Sequence, residues 1–301
     1  MFSLLTAFDV ADASSCNTFA LVDPAQDPRL PGVLVSEASA LACLFEDPEA
    51  DVRAVAPHLI EINTADRPAA MEWLDRHAPQ VPCATLLASP LSLAELARHL
   101  AAFLEVTLPD RTQMVLAFWD PMIFAALVGM PEDQTLHVTG PVFSEAQRHE
   151  FLAPISGWWY WDRSGHLRHL DSSASPAQPD PAGPAVPLLF NQHQVDLIVE
   201  ASVPDNILHY IRLNQPGLLS RATDEQQYSF IRAQIGKARS YQIEGTGDLV
   251  NYCCLAVALG ETFDTSPRIA SLLRSVKARE LSFDNFMVEL PAVLSQPDVP
   301  A

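Results

Sequence analysis

Val81-Pro-Cys-Ala-Thr-Leu-Leu87 followed by Ser92-Leu-Ala-Glu-Leu-Ala-Arg-His-Leu-Ala-Ala-Phe-Leu104 decides the fold class of this chain. The first run is short, apolar and punctuated by proline and serine, which reads as a strand. In the second, Leu93, Leu96, Ala97, Leu100 and Leu104 recur at three- and four-residue steps and form one apolar stripe, the mark of an amphipathic helix. Ser92 and Glu95 stand at capping-box spacing, each side chain placed to accept a free backbone N–H of the other's turn. A strand followed closely by a helix is the unit of a layered α/β architecture.

The same pairing continues on either side. Thr18–Val22, Leu41–Phe45, Leu59–Ile62 and Gln113–Trp119 also read as strands, with helical stretches between them. Pro121–Val128 and Pro131–Val138 are expected to be short helices, each with proline in its first turn. Gly157–Trp161 and His166–Leu170 flank Asp162-Arg-Ser-Gly165, which reads as a hairpin turn. The segment 171–187 holds five prolines, too many for a helix or a sheet ladder, and reads as a semi-rigid linker. The expected organisation is a mixed α/β lobe over 1–170, the linker over 171–187 and a helical lobe over 188–301. The fold class is therefore α+β: a central sheet with flanking helices, followed by an all-helical lobe. In the second lobe Gln192–Ala201, Asp205–Leu213, Asp224–Ser240, Asp248–Leu259 and Pro267–Arg279 read as helices. Thr265-Ser-Pro267 supplies an N-cap with proline at the first helical position, and Gly260 is suited to close the helix before it. Leu249–Leu259 is apolar nearly all round and is expected to run through the middle of a small bundle.

The chain has 301 residues, 49% of them hydrophobic, enough for one large or two medium domains. Its net charge is −19, with residues 1–187 carrying −15 and residues 188–301 carrying −4. Such a surface repels nucleic acid and anionic lipid, so neither is an expected partner. The acidic first lobe is suited to steering a basic partner, or simply to keeping the protein soluble. The first nine residues have no basic n-region, and Asp9 and Asp12 interrupt any apolar stretch, so no secretory signal is read. Apolar runs are too short for a membrane-spanning helix. Five cysteines without C-x-x-C spacing read as reduced thiols of a cytoplasmic protein.

No nucleophile elbow, S-x-x-K or H-E-x-x-H motif occurs. Gly245-Thr-Gly247 lacks the preceding strand and third glycine of a nucleotide fingerprint and reads as an interhelical turn. His166 and His169, three apart on a strand, point to opposite faces and do not form a metal pair. No catalytic residue, cofactor or metal is assigned. A hydrolase or other enzyme with a site built from scattered residues is the alternative.

The motifs Phe19-Ala-Leu-Val-Asp23, Cys43-Leu-Phe-Glu46, His58-Leu-Ile-Glu-Ile62, Leu86-Leu-Ala-Ser-Pro90, Ser92-Leu-Ala-Glu-Leu96 and Phe118-Trp-Asp-Pro121, in this order, resemble the effector adaptor chaperones of the bacterial type VI secretion system. The second lobe resembles them more loosely, through Gly245–Tyr252, Leu259–Phe263 and a final helix. The resemblance implies a non-catalytic cytoplasmic protein that binds a toxic effector and loads it onto the VgrG spike. It also implies an acidic turn after the first strand. There Asp23 and Asp27 cap turns, Pro24 and Pro28 fix φ, and Arg29 pairs with a carboxylate. In Phe118-Trp119-Asp120-Pro121 the aspartate is a natural N-cap and the proline a natural first helical residue. Relatives commonly carry arginines beside this motif, whereas this chain has Ala117 and Met122. The candidate partner-binding residues are Asp27, Arg29, Trp119, Asp120 and the aromatic run Trp158-Trp159-Tyr160-Trp161. On a strand Trp158 and Tyr160 face one side and Trp159 and Trp161 the other. One pair is expected to join the core; the other needs cover from the helical lobe or a partner.

Overall fold

The computed structural model describes residues 16–30, 40–62, 67–172 and 188–295, in two compact units, residues 1–201 and 202–301. Most of the linker read from sequence, residues 173–187, lies outside the described residues.

In the first unit the elements are, in order, β1 (Asn17–Val22), β2 (Leu41–Cys43), α1 (Ala50–Val55), β3 (His58–Glu61), α2 (Arg67–His77), β4 (Ala84–Ser89) and α3 (Leu93–Ala101). They continue with β5 (Glu105–Thr107), β6 (Gln113–Val115), α4 (Pro121–Val128), α5 (Glu145–Leu152), β7 (Gly157–Trp161), β8 (Leu167–Asp171) and β9 (Leu188–Leu189). Six strands form one sheet in the order β2-β3-β1-β4-β7-β8, and every adjacent pair is antiparallel. A small second sheet has the order β6-β5-β9, with β9 parallel to β5.

Strand periodicity sorts the large sheet's side chains into two cores. Phe19, Leu21, Leu59, Leu87, Trp158 and Tyr160 join one, packed with the apolar faces of α3, α4 and α5. Ala20, Val22, Ile60, Leu86, Trp159 and Trp161 join the other, with Leu30, Leu74 of α2, Ala78 and Cys83. Because both faces are covered, the central strands read as unbroken apolar runs rather than as alternation. The cover that the second pair of tryptophans required thus comes from α2 and the acidic turn of the same unit.

Several expectations are corrected. Residues 131–138 form turns rather than a helix, organised by Asp133, whose carboxylate accepts from the Thr135 N–H at 2.9 Å and its hydroxyl at 2.6 Å. The strand read over Gln113–Trp119 stops at Val115, where its neighbour β5 ends its pairing at Glu105. After residues 173–187 the chain returns to the first unit: Leu188 pairs beside Val106, and Leu188 and Phe190 enter the first core.

Helix α6 (Gln192–Asn214) is continuous where two helices were expected. Pro204 lies inside it and removes one ladder bond, while Ile198 and Ala201 before it pack on the first unit's core and Ile207, Leu208 and Ile211 after it are buried in the second's. The second unit adds α7 (Asp224–Ser240), α8 (Thr246–Leu259), a 3-10 turn (Phe263–Thr265), α9 (Pro267–Lys277) and α10 (Phe283–Leu294). Gly260 ends α8 with φ +100, and Pro267 opens α9 behind Ser266 as N-cap. Helix α8 is not buried all round. Leu249, Tyr252, Cys253 and Ala256 face the core, while Asn251, Ala258 and Leu259 are exposed, so it packs by one stripe like its neighbours.

Candidate functional site

The sheet brings the N-terminal motifs into register. Cys43, His58, Val22 and Ala84 lie in one row across β2, β3, β1 and β4. Past the end of β1 the chain enters the turn Asp23–Leu30, tied to the sheet by the Asp23 N–H donating to the Cys83 carbonyl at 2.8 Å. Two side-chain clusters flank this turn.

The first joins Asp23, Phe45 and Trp119. The Asp23 carboxylate accepts from the Ala25 N–H at 3.0 Å and also from Trp119. Burial raises its proton affinity above the ordinary carboxylate value, against the pull of these donors. Trp119 meets Phe45 edge-on at 6.0 Å and Phe118 at 5.8 Å. Three motifs distant in sequence therefore meet at one indole. Asp120, the next residue, caps α4, accepting from Met122 N–H at 2.8 Å and Ile123 N–H at 3.1 Å. Ala117 and Met122 are half-buried beside this cap.

The second cluster centres on Asp27, a buried residue. Its Oδ1 accepts from the Arg29 backbone N–H at 3.0 Å and Nε at 2.9 Å. Its Oδ2 accepts from Arg29 Nη2 at 2.6 Å and lies 2.6 Å from His77 Nε2 on α2. The Arg29 guanidinium holds the Asp27 carboxyl well below the usual carboxylate range. His77 also packs against Trp73, ring centroids 4.5 Å apart. The nearest thiol, Cys83, is wholly buried and pushed up to about 12, first by burial and then by the Asp27 charge, the opposite of an activated nucleophile. The cluster pins the acidic turn to α2 while leaving the outer part of Arg29 exposed.

The aromatic run is internal. Trp158 and Tyr160 are wholly buried, and Trp159 and Trp161 are 3% and 5% exposed. Trp158 stacks on Phe124 at 4.1 Å, Trp159 stacks on His169 at 4.4 Å, and the Tyr160 hydroxyl donates to Asp133 at 3.0 Å. These rings build the two cores and present no broad face to solvent. His169 is therefore occupied by Trp159, while His166 is exposed beside Asp162, so the two imidazoles do not share a site. Asp162 organises the hairpin, accepting from the Ser164 and His166 N–H groups and from Arg168 Nε at 2.8 Å. Gly245 caps α8 and Gly247 lies in its first turn, after a helix rather than a strand.

Sequence reading missed His77, since a lone histidine at the end of a helix carries no motif. It also missed the His137–Glu200 pair at 2.6 Å, which links a turn to α6 across 63 residues. Among the described residues no group of three or more His, Cys, Asp or Glu is placed to hold a metal, and no helix is long and apolar enough to cross a membrane.

No curated protein and no solved structure matches the chain. Residues 18–138, which span β1 to the turns after α4 and contain both clusters, match the model of a family described as a domain of unknown function, DUF4123, one associated with adaptors of type VI secretion effectors.

Proposed function

We propose that this protein is a non-catalytic adaptor of type VI secretion that binds an effector and loads it onto the VgrG spike. The family match over residues 18–138 carries the reading, because it covers the segment whose motifs converge on the acidic turn. The polar groups of that segment support it. Asp23, Asp27 and Asp120 each hold a turn or a helix end, and the one buried thiol beside them is held protonated. The net charge of −19 suits a partner with a basic surface, whose encounter it accelerates. The protein would act in the cytoplasm, without a cofactor.

The test is reconstitution. The full chain is co-expressed with a VgrG spike protein and a toxic effector from the same host, and complexes are isolated through a tag on the effector. The expected result is a complex containing all three, and loss of the toxin from secreted spikes when this chain is deleted. Secretion unaffected by the deletion overturns the reading. So does turnover, in a hydrolase substrate screen, that a single Ser, His or Asp substitution abolishes.

A further inference from the structure

The second unit holds a cleft of about 1230 Å³ between the turn 217–222, the first half of α7 and the last turn of α8. Two glutamines of α7, seven residues apart and so on one helical face, line it with opposite fates. Gln227 is saturated. Its Oε1 accepts from Arg212 Nε at 3.0 Å and Nη2 at 2.6 Å, and its Nε2 donates to the carbonyls of Leu219 at 3.1 Å and Ala222 at 2.9 Å. It is the strut that holds the 217–222 turn against α7. Gln234 is 1% exposed, and its Oε1 is buried with no hydrogen-bond partner. A buried, unsatisfied amide oxygen is costly, and buried polar groups of native proteins are nearly all paired. The unpaired oxygen is a cost to the free protein that a donor entering the cleft would remove.

The rest of the cleft describes that donor. Leu218, Leu219 and Phe230 are half-buried along it and offer an apolar wall. Ala256 and Val257 bring the last turn of α8, whose carbonyls lack partners within the helix and add further acceptors. The charged side chains on the lining are one guanidinium, Arg221, and two carboxylates, Glu225 and Glu261, so the cleft is close to neutral on a strongly acidic protein. Its volume exceeds that of ordinary small-molecule pockets, roughly 300–1,000 Å³. Apolar wall, acceptor lining, little net charge and volume together match a chain segment carrying its own N–H donors.

We infer that this cleft is a peptide-binding site. It takes an uncharged, apolar segment of a protein partner, one of whose N–H groups donates to Gln234 Oε1. The identification of that partner as effector or spike rests on the adaptor reading; the cleft itself does not.

The probe is a displayed library of random 12-residue peptides, selected on the full chain, with enriched sequences resynthesised and their affinity read by fluorescence anisotropy. Two variants accompany the parent: Gln234→Leu removes the acceptor, and Ala233→Trp fills the cleft from an exposed position of α7. The expected result is enrichment of apolar, uncharged peptides whose binding weakens at least tenfold in both variants, while Gln234→Leu melts no lower than the parent. Failure to enrich any peptide overturns the inference, as does an enriched peptide that binds the Ala233→Trp variant as tightly as the parent. If peptides bind as expected but no toxin complex forms in the reconstitution, the cleft stands and the adaptor reading falls. If the toxin complex forms and both variants bind peptide like the parent, the adaptor reading stands and the cleft falls.

Discussion

Phe151 of α5 is the hub of the first unit's aromatic core, and truncating it tests whether that core is packed as a solid. The side chain is wholly buried, and its ring centroid lies 5.1 Å from Phe103, 5.4 Å from both Phe118 and Phe143, and 5.6 Å from Trp158. Phe→Ala in a packed core costs about 3–5 kcal/mol through lost burial and the cavity left behind. Each edge-to-face neighbour adds roughly 0.5–1.5 kcal/mol beyond its area, without simple additivity. With these four rings and Phe124, at 6.4 Å, around it, Phe151→Ala is expected at the top of that range, about 5 kcal/mol, a large fraction of the roughly 5–15 kcal/mol that holds a domain folded. Phe151→Leu, which keeps most of the volume, is expected to cost about 1.5 kcal/mol. The hydrogen bond from the His99 side chain, Nε2–H, to the Phe151 backbone carbonyl, 2.9 Å, is available in both variants, so the difference isolates the ring. All five tryptophans fall between residues 73 and 161, so tryptophan fluorescence in a urea titration reports the first unit without interference from the second. A shift below about 1.5 kcal/mol for Phe151→Ala, at unchanged slope, would refute close packing around this ring.

Gly157→Ala is expected to destabilise the same unit by about 1–3 kcal/mol, because the added methyl would lie 2.6 Å from the Trp159 ring and 3.1 Å from His169 Nε2. An unchanged melting temperature would mean the Trp159–His169 stack is not held against the strand. Stability of the first unit should also depend on pH. Burial lowers the folded-state pKa of His58, His99 and His169, so the unfolded chain binds more protons once pH falls through its own histidine value of about 6.5. The stabilisation is complete above that value and is lost as pH falls toward 5. Urea midpoints at pH 7.5, 6.5 and 5.5 should decline in the parent and less steeply in His99→Gln. Parallel declines in the two proteins would remove His99 from the account.

Much of the first unit is legible in the sequence because its elements are short and strongly patterned. The α3 stripe with its Ser92–Glu95 box, the Asp120-Pro121 helix start and the Asp162–Gly165 hairpin turn are all local chemistry, in which a few neighbouring residues satisfy one another's backbone groups. The two-faced placement of Trp158–Trp161 also follows from strand periodicity alone. What covered the second face does not, because that depends on α2 and the acidic turn folding back over β4 and β7 from far along the chain. The helix expected over 131–138 failed for a local reason of the opposite kind: Asp133 offers the backbone and Thr135 a turn that competes with the helix ladder.

The same division runs through the candidate sites. Asp27 and Arg29 are two residues apart, and their pairing is readable from sequence, but His77 completes the cluster across fifty residues. Gln227 and Gln234 look alike in sequence and share one face of α7. One is locked by Arg212 and the 217–222 turn, and the other has its amide oxygen left without a partner. Sequence alone determined which residues are apolar, which cap and which turn, since those properties act over a helical turn or a strand pair. Only the tertiary structure decided which polar groups are satisfied and which are not, because satisfaction is a matter of distance between atoms brought together by the whole fold.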